Sequence, residues 1–456
     1  MDSGRRVMVA VALAAAVARV PGVYTHALWE DEVASARILA EPTFPGMLRH
    51  VTRTESTPPL WYALGWCVHL AGVPIRDVRL LSVLAGAVLA AVVVDLARRA
   101  VPLAFAAVAG LLVAFGGELV AHGSELRSYE LLALLAALFA RCLLDELEAP
   151  SRRRELALAA VVAAGGLTHF FFAFTVGAAL LWLWLDPGAR ARRRAGLSIL
   201  AGGAVASTWA PVMLTQYHAN RFWWIGPFRA RYVAAVSLRL FTYAYSNTST
   251  GLALSLAGLA VVVAGTARLG RVSPTGRLFA ALAVAPTIEA AIVWAGGMHV
   301  FALRNLIGTA PFVAIAATAA LAALPLPRPA LALGAVGASA LALALLGGGS
   351  RVVPYNTIAK RLVAAGWRAS QPVAVFGDFF RYRGPLEWYL PHQPVLDASR
   401  PTGRACRTLF VIHGDTVRRL HDASPTELRH ATILSDPASS PACVRPIRAG
   451  RLAALS

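Results

Sequence analysis

The chain has 456 residues, 57% of them hydrophobic and only 15% charged, with a mean hydropathy of +0.60. A soluble domain carries about a quarter charged residues, so this composition excludes an ordinary soluble protein and points to a polytopic membrane protein. The net charge of +19 invites a nucleic-acid partner, but the placement of the basic residues argues against one. Arg5 and Arg6, Arg98 and Arg99, Arg152 to Arg154, Arg190 to Arg194, and Arg268, Arg271 and Arg277 all lie between apolar runs. Basic residues there resist translocation, mark cytoplasmic loops and meet anionic headgroups.

Assigning every basic cluster to the cytoplasm predicts about eleven spans, each near the 17–20 residues that a bilayer demands. The stretch 1–21 resembles a signal peptide but has no small-residue cleavage pattern before Tyr24, so it is read as an uncleaved first helix. The first span is 7–23 and exits. The run 58–72 is only 15 residues long and carries Trp61, Tyr62, Trp66 and His69, which suit a helix lying at the outer interface. The spans 79–97, 101–117 and 129–147 follow, with 118–128 as an external loop. A hairpin 156–168 and 170–185 turns at Thr168-His169. The span 196–213 exits into a polar, aromatic external stretch, 216–250. The last four spans are 252–267, 278–295, 305–323 and 329–347.

The tail from 350 is different material, with 15 Lys/Arg and 7 Asp/Glu and short β-like runs at 373–376 and 408–412. It reads as a separate α/β domain, 350–456, long enough to bury its own core. The alternation places it outside the cell and the N-terminus in the cytoplasm. Cys67 and Cys142 lie in apolar surroundings and read as small core residues. Cys406 and Cys443 fall in the tail, and their spacing is unlike a metal site, which leaves a disulfide open.

Acidic residues gather at the outer ends of the spans. The first external segment reads Ala27-Leu-Trp-Glu-Asp-Glu-Val33, followed by Thr54-Glu-Ser-Thr-Pro-Pro-Leu-Trp-Tyr62, and the next external loop supplies Ser124-Glu-Leu-Arg-Ser-Tyr-Glu130. Alone, each has a plain reading: solvated carboxylates after a helix, or prolines starting one. As an ordered set, with the Arg-Leu-Leu-Ser start of the second span, Thr168-His169-Phe170 and Arg304-Asn-Leu-Ile-Gly-Thr-Ala-Pro311, they resemble a family. That family is the bacterial membrane glycosyltransferases related to protein O-mannosyltransferases and the aminoarabinose transferase of lipid A. The resemblance covers residues 7–325. It implies a GT-C-like, all-α polytopic fold in the cell membrane.

The resemblance further implies a sugar donor joined to a polyprenyl phosphate and a lipid, glycan or protein acceptor reached from the outer face. Asp31 stands at the position of the family's catalytic acidic residue and is expected to act as general base toward an acceptor hydroxyl, inverting the anomeric carbon. Glu32 is expected to support it. Arg127 and, by resemblance, Arg304 would bind the donor phosphate, against the plain reading of arginines snorkelling to headgroups. Asn305 after Arg304 departs from the commoner aromatic. Glu125, Tyr129 and His169 are expected to contact substrate, while a satisfied structural histidine is the plain alternative for His169. Some relatives use Asp-x-Asp with a metal; this chain has Asp-Glu, so a divalent ion is admitted, with Glu125 as its support, but not required. Glu289 lies within a span, where an ionisable group usually faces a cavity. The competing class is a transporter or lipid flippase, which would show paired broken helices and midplane charges. A membrane scaffold would leave the ordered motifs unexplained.

Overall fold

The computed structural model describes residues 2–186, 192–219, 225–242 and 249–324, and in the tail 355–356, 359, 373–375, 379–390, 395–397, 409–413, 424–428 and 431–435. These residues form two compact units, 1–24 with 38–348, and 25–37 with 349–456.

The first unit is helical. Its elements are α1 (Ser3–Thr25), the C-terminal end of α2 (Glu30–Leu39), α3 (Phe44–Thr54), α4 (Leu60–Leu70), α5 (Leu80–Ala97), α6 (Leu103–Phe115), α7 (Gly117–His122), α8 (Tyr129–Glu148), α9 (Arg152–Thr168) and α10 (Phe172–Leu185). Then come α11 (Arg192–Ala206), α12 (Ala210–His218), α13 (Ala230–Thr242), α14 (Ser249–Val272), α15 (Pro274–Ala295) and α16 (Ala310–Leu321). Short 3-10 segments lead into α5 and α16 and join α11 to α12.

Each of the first ten expected spans falls on a helix. Among the described residues, six segments are long and apolar enough to cross a membrane: 3–25, 75–97, 193–218, 252–272, 274–295 and 303–321. The helix α8 spans 20 residues but carries Glu130, Arg141, Asp145, Glu146 and Glu148. The expected eleventh span, 329–347, lies outside the described residues. The helix α4 has 11 residues, about 16 Å at 1.5 Å per residue, half of what a crossing needs.

Local chemistry sets the helix starts. Ser151 caps α9 by accepting from the Arg154 amide, and Ser273 caps α15 by accepting from the Gly276 amide with Pro274 in the first turn, both common N-terminal signals. The core is a contiguous apolar cluster in which Leu89, Val93, Leu132, Phe139, Phe279 and Phe312 are fully buried. Phe139 meets Phe172 edge-on between α8 and α10, their ring centres 5.8 Å apart. The basic residues near the expected cytoplasmic ends are ion-paired: Arg99 with Asp145 and Glu148, and Arg277 with Asp186 at 2.7 Å.

Three features depart from the sequence reading. The expected loop 118–128 begins as a helix, α7, because α6 breaks at Gly116, whose extended ψ of 122° cannot continue a helix. The expected polar external stretch 216–250 contains α13. Cys67 is exposed rather than a core residue, because an apolar face on a short surface helix reads like a core face in sequence; Cys142 is half-buried.

A buried ion pair in the helical unit was not expected. Arg19, fully buried in α1, donates to Glu130 Oε1 of α8 at 3.1 and 2.8 Å and to the carbonyls of Ala15, Val113 and Ala114. Gly86 and Gly123 make room for it, since a Cβ on either would run into the Arg19 side chain. The arginine thereby takes up carbonyls that the end of α6 leaves without helical partners.

The second unit holds a five-stranded sheet in the order β2-β1-β3-β5-β4, with β1 (Val373–Val375), β2 (Val395–Asp397), β3 (Leu409–His413), β4 (Ser424–Leu428) and β5 (Ala431–Ser435). The strand β1 runs parallel to β2 and β3, with Val373 opposite Val395 and Leu409. The other pairings are antiparallel, Phe410 facing Leu434. The helix α17 (Phe379–Tyr389) connects β1 to β2, as a parallel pair requires a crossover. Cys406 and Cys443 lie outside the described residues.

Candidate active site

The residues expected to handle the donor come together in the helical unit. The loop 123–128 between α7 and α8 is held by Ser82 at the start of α5, whose hydroxyl donates to the Glu125 and Arg127 carbonyls at 2.8 and 3.4 Å. Arg127 is 5% exposed, so it is no snorkelling interface residue. Its Nη1 donates to Glu55 Oε2 and to the Tyr62 hydroxyl, each at 3.1 Å, and Thr57 Oγ1 lies 3.1 Å from the same hydroxyl. Burial, together with Glu55 and against the pull of Arg127, holds the Tyr62 phenol well above its ordinary pKa. It remains an uncharged phenol.

Tyr129, at the start of α8, is the platform of the site. The guanidinium of Arg127 lies 5.8 Å from its ring centre and that of Arg304 lies 5.7 Å away. The rings of His122 and His169 pack on it at 4.8 and 5.8 Å. Four nitrogen-rich side chains therefore surround one buried aromatic ring, whose electron-rich face favours cations.

The carboxylates sit on the far partners of these groups. His122 Nδ1 is 2.8 Å from Glu125 Oε2, and its Nε2 is 3.9 Å from Glu118. Glu118 also accepts from Arg239 of α13 at 2.7 Å. Burial pulls the His122 pKa down, but the charge and hydrogen bond of Glu125 and the charge of Glu118 outweigh it, leaving the imidazole above its ordinary value. His169, the cap residue at the end of α9, behaves oppositely: burial first, then Arg127 and Arg304, lower it to about 3. At neutral pH one histidine is held toward its cationic form and the other is neutral.

The structure thus brings Glu125, Arg127, Tyr129, His169 and Arg304 near one another, and adds Glu55, Tyr62, His122, Glu118 and Arg239. Glu55 and Tyr62 lie in the Thr54–Tyr62 motif, where the residue types were visible but their pairing with Arg127 was not. Among the described residues no group of three or more His, Cys, Asp or Glu side chains is arranged to hold a metal ion. The Glu289 carboxylate, within α15, packs against Gly177 of α10. Between α13 and α15 runs an apolar groove of about 480 Å³, lined by residues such as Val233, Val284, Ile288 and Ile292.

Asp31 and Glu32 belong to the other unit. They lie in the acidic first turn of α2, where negative charge complements the helix dipole. Glu32 is buried, at 1% exposure, and its carboxylate accepts from the Trp29 amide at 3.4 Å, the reach-back of a capping box. Asp31 is half-buried, and its carbonyl accepts from Ser35 Oγ at 3.0 Å. The segment 25–37 is tied to α17 by the Leu28 amide donating to the Tyr389 hydroxyl at 2.8 Å and by Arg37 with Glu387 at 3.3 Å.

Comparison with known proteins bears on this arrangement. Residues 56–214 match the family model described as dolichyl-phosphate-mannose-protein mannosyltransferase, a segment that encloses Glu125, Arg127, Tyr129 and His169. The fold is similar to that of ArnT from Cupriavidus metallidurans in the apo state, at 15% identity and a TM-score of 0.58, over 96% of this chain and 98% of that one. The same protein bound to undecaprenyl phosphate matches at 14% identity and a TM-score of 0.57, with the same 96% and 98% coverage. The archaeal oligosaccharyltransferase AglB from Archaeoglobus fulgidus, in complex with an inhibitory peptide and a dolichol-phosphate, matches at 12% identity and a TM-score of 0.55, over 86% of this chain and 64% of that one. No curated protein sequence matches the chain. The resemblance read from the motifs is matched by the family model over 56–214 and by the fold, which is a polytopic helical fold similar to that of ArnT.

Proposed function

We propose that the chain is a membrane glycosyltransferase that moves a sugar from a polyprenyl-phosphate donor to a hydroxyl on an acceptor at the outer face of the membrane. The observation that carries this reading is the family match over 56–214, because it encloses the buried arginine, tyrosine and histidine that meet in one cluster. Undecaprenyl phosphate and dolichol-phosphate are bound by the two structural relatives, and an amphiphile of that kind suits this chain. Its phosphate would meet Arg127 and Arg304 beside Tyr129, and its prenyl chain the apolar groove between α13 and α15.

In the reaction, the acceptor oxygen attacks the anomeric carbon while Asp31 takes the hydroxyl proton. The bond from that carbon to the phosphate oxygen breaks, and its electron pair stays on the phosphate, which goes from a singly charged diester to a doubly charged monoester. The sugar inverts. Arginines placed where this charge grows stabilise the transition state more than the ground state. Glu32 orients the turn that carries Asp31, and Glu125 and Tyr129 contact the sugar. No residue in this scheme requires a metal ion. Incubating the purified chain with a panel of polyprenyl-phosphate hexoses, pentoses and aminosugars, and following donor loss by mass spectrometry, tests the reading. Consumption of one donor with release of polyprenyl phosphate is expected. A chain that consumes none in the presence of hydroxyl acceptors, yet moves the intact lipid between leaflets, would be a flippase instead.

A further inference from the structure

We infer that His169 is a neutral hydrogen-bond donor to a phosphate oxygen of the prenyl-phosphate ligand, working from its Nε2–H on the Tyr129 ring that it shares with the two arginines; this rests on the phosphate locus proposed above. The ring geometry fixes the tautomer. The Phe171 amide donates to His169 Nδ1 at 3.3 Å, so Nδ1 is the unprotonated nitrogen and the ring proton lies on Nε2. The side chain is 2% exposed, and Nε2 has no hydrogen-bond partner among the described residues. A buried donor with no acceptor is costly, because it has given up its hydrogen bond to water without a replacement, which marks this atom as available to an acceptor.

The surroundings specify the acceptor. His169 shares the Tyr129 ring with Arg127 and Arg304, and both guanidiniums lower its affinity for a proton. A cationic ligand would meet the same repulsion, and a sugar hydroxyl could accept from the arginines but would not offset their charge. An anion satisfies all three groups together. The same geometry denies His169 a role as general base, since its one lone pair is already engaged by the Phe171 amide. A neutral donor adds a hydrogen bond as the phosphate gains charge, and brings no proton that could be lost with changing pH.

The test measures binding of undecaprenyl phosphate, with undecaprenol as the phosphate-free control, to the full-length chain in detergent. His169→Phe keeps a ring but removes the donor and is expected to weaken undecaprenyl phosphate about tenfold, the low end for a hydrogen bond to a charged group. Undecaprenol binding should not change. His169→Gln restores an N–H near the Nε2 position and should recover most of the affinity. Tight undecaprenyl phosphate binding by a folded His169→Phe, with Arg127→Gln and Arg304→Gln both weakened, would overturn the role of His169 and leave the phosphate locus standing. Unchanged binding in all three would remove the locus itself. Where the Phe variant does not fold, isotope-labelled histidine in the wild-type chain gives the answer by nuclear magnetic resonance. The His169 Nε2–H signal, assigned by its loss in His169→Gln, must shift on adding undecaprenyl phosphate; a stationary signal overturns the inference.

Discussion

Arg127 is held by Glu55 before any ligand arrives, and that pairing determines how its replacement must be interpreted. Both side chains are almost fully buried, at 5% and 6% exposure, and 3.1 Å apart. Arg127→Gln alone strands the Glu55 carboxylate and takes one partner from Tyr62, a loss of the kind that costs about 3–5 kcal/mol when one member of a buried pair is removed. A fall in activity of the single variant would therefore reflect folding as much as phosphate recognition. The double variant Arg127→Gln, Glu55→Gln separates the two, because a pair of neutral amides leaves no buried charge. Its melting temperature, followed by the fluorescence of the chain's 11 tryptophans, should return most of the way to wild type. Its binding of undecaprenyl phosphate should stay weaker by about 1.5–3 kcal/mol, the worth of a hydrogen bond to a charged group, or about 10- to 150-fold. A double variant that regains both stability and wild-type affinity would show that Arg127 serves the fold and not the phosphate.

Asp31→Asn preserves size while removing basicity, so turnover should fall by at least about 10²-fold with undecaprenyl phosphate binding kept; Glu32→Gln should be milder and act through stability, since it caps α2, and a folded Asp31→Asn with near-normal turnover would remove Asp31 from the mechanism. His122 predicts a pH dependence: its folded pKa lies above the ordinary value because of Glu125 and Glu118, so its stabilisation is full below about 6.5 and is lost as pH rises through the folded value. Thermal melts from pH 6 upward should show that decline, and His122→Gln should flatten it. His169 has the opposite sign: with its folded value near 3, its contribution is full above about 6.5 and is lost as pH falls from there toward 3.

What the sequence revealed follows the reach of each signal. Hydropathy is a local average over about a span's length, so α1, α14 and α15 stood out, whereas α3, α7 and α13, short helices of mixed polarity between the spans, left no comparable trace. The strands at 373–376 and 408–412 were legible from β-branched runs, and the structure places strands at Val373–Val375 and Leu409–His413. Arg19 had a readable signal that hydropathy smoothed over: a lone arginine inside a span is costly unless paired. Its partner, 111 residues away in Glu130, was not legible, because nothing local joins them. The site divides along the same line. Arg127, Tyr129 and His169 were found as residue types in ordered motifs, while the contact of Arg127 with Glu55 spans 72 residues and belongs to the fold alone.

That unseen contact changes what the arginine can do in catalysis. A phosphate reaching Arg127 competes with a carboxylate already in place, so binding gains only the difference between the two partners. A donor diester carries one negative charge, the same as Glu55, and the difference is small. The departing monoester carries two, and its pull on the guanidinium grows while that of Glu55 stays constant. Under the proposed reaction the pairing therefore subtracts more from ground-state binding than from the transition state, which is the direction that raises turnover rather than donor affinity. Tyr62 supports this by remaining an uncharged phenol, able to keep its hydrogen bond from Arg127 Nη1 whichever anion the guanidinium faces.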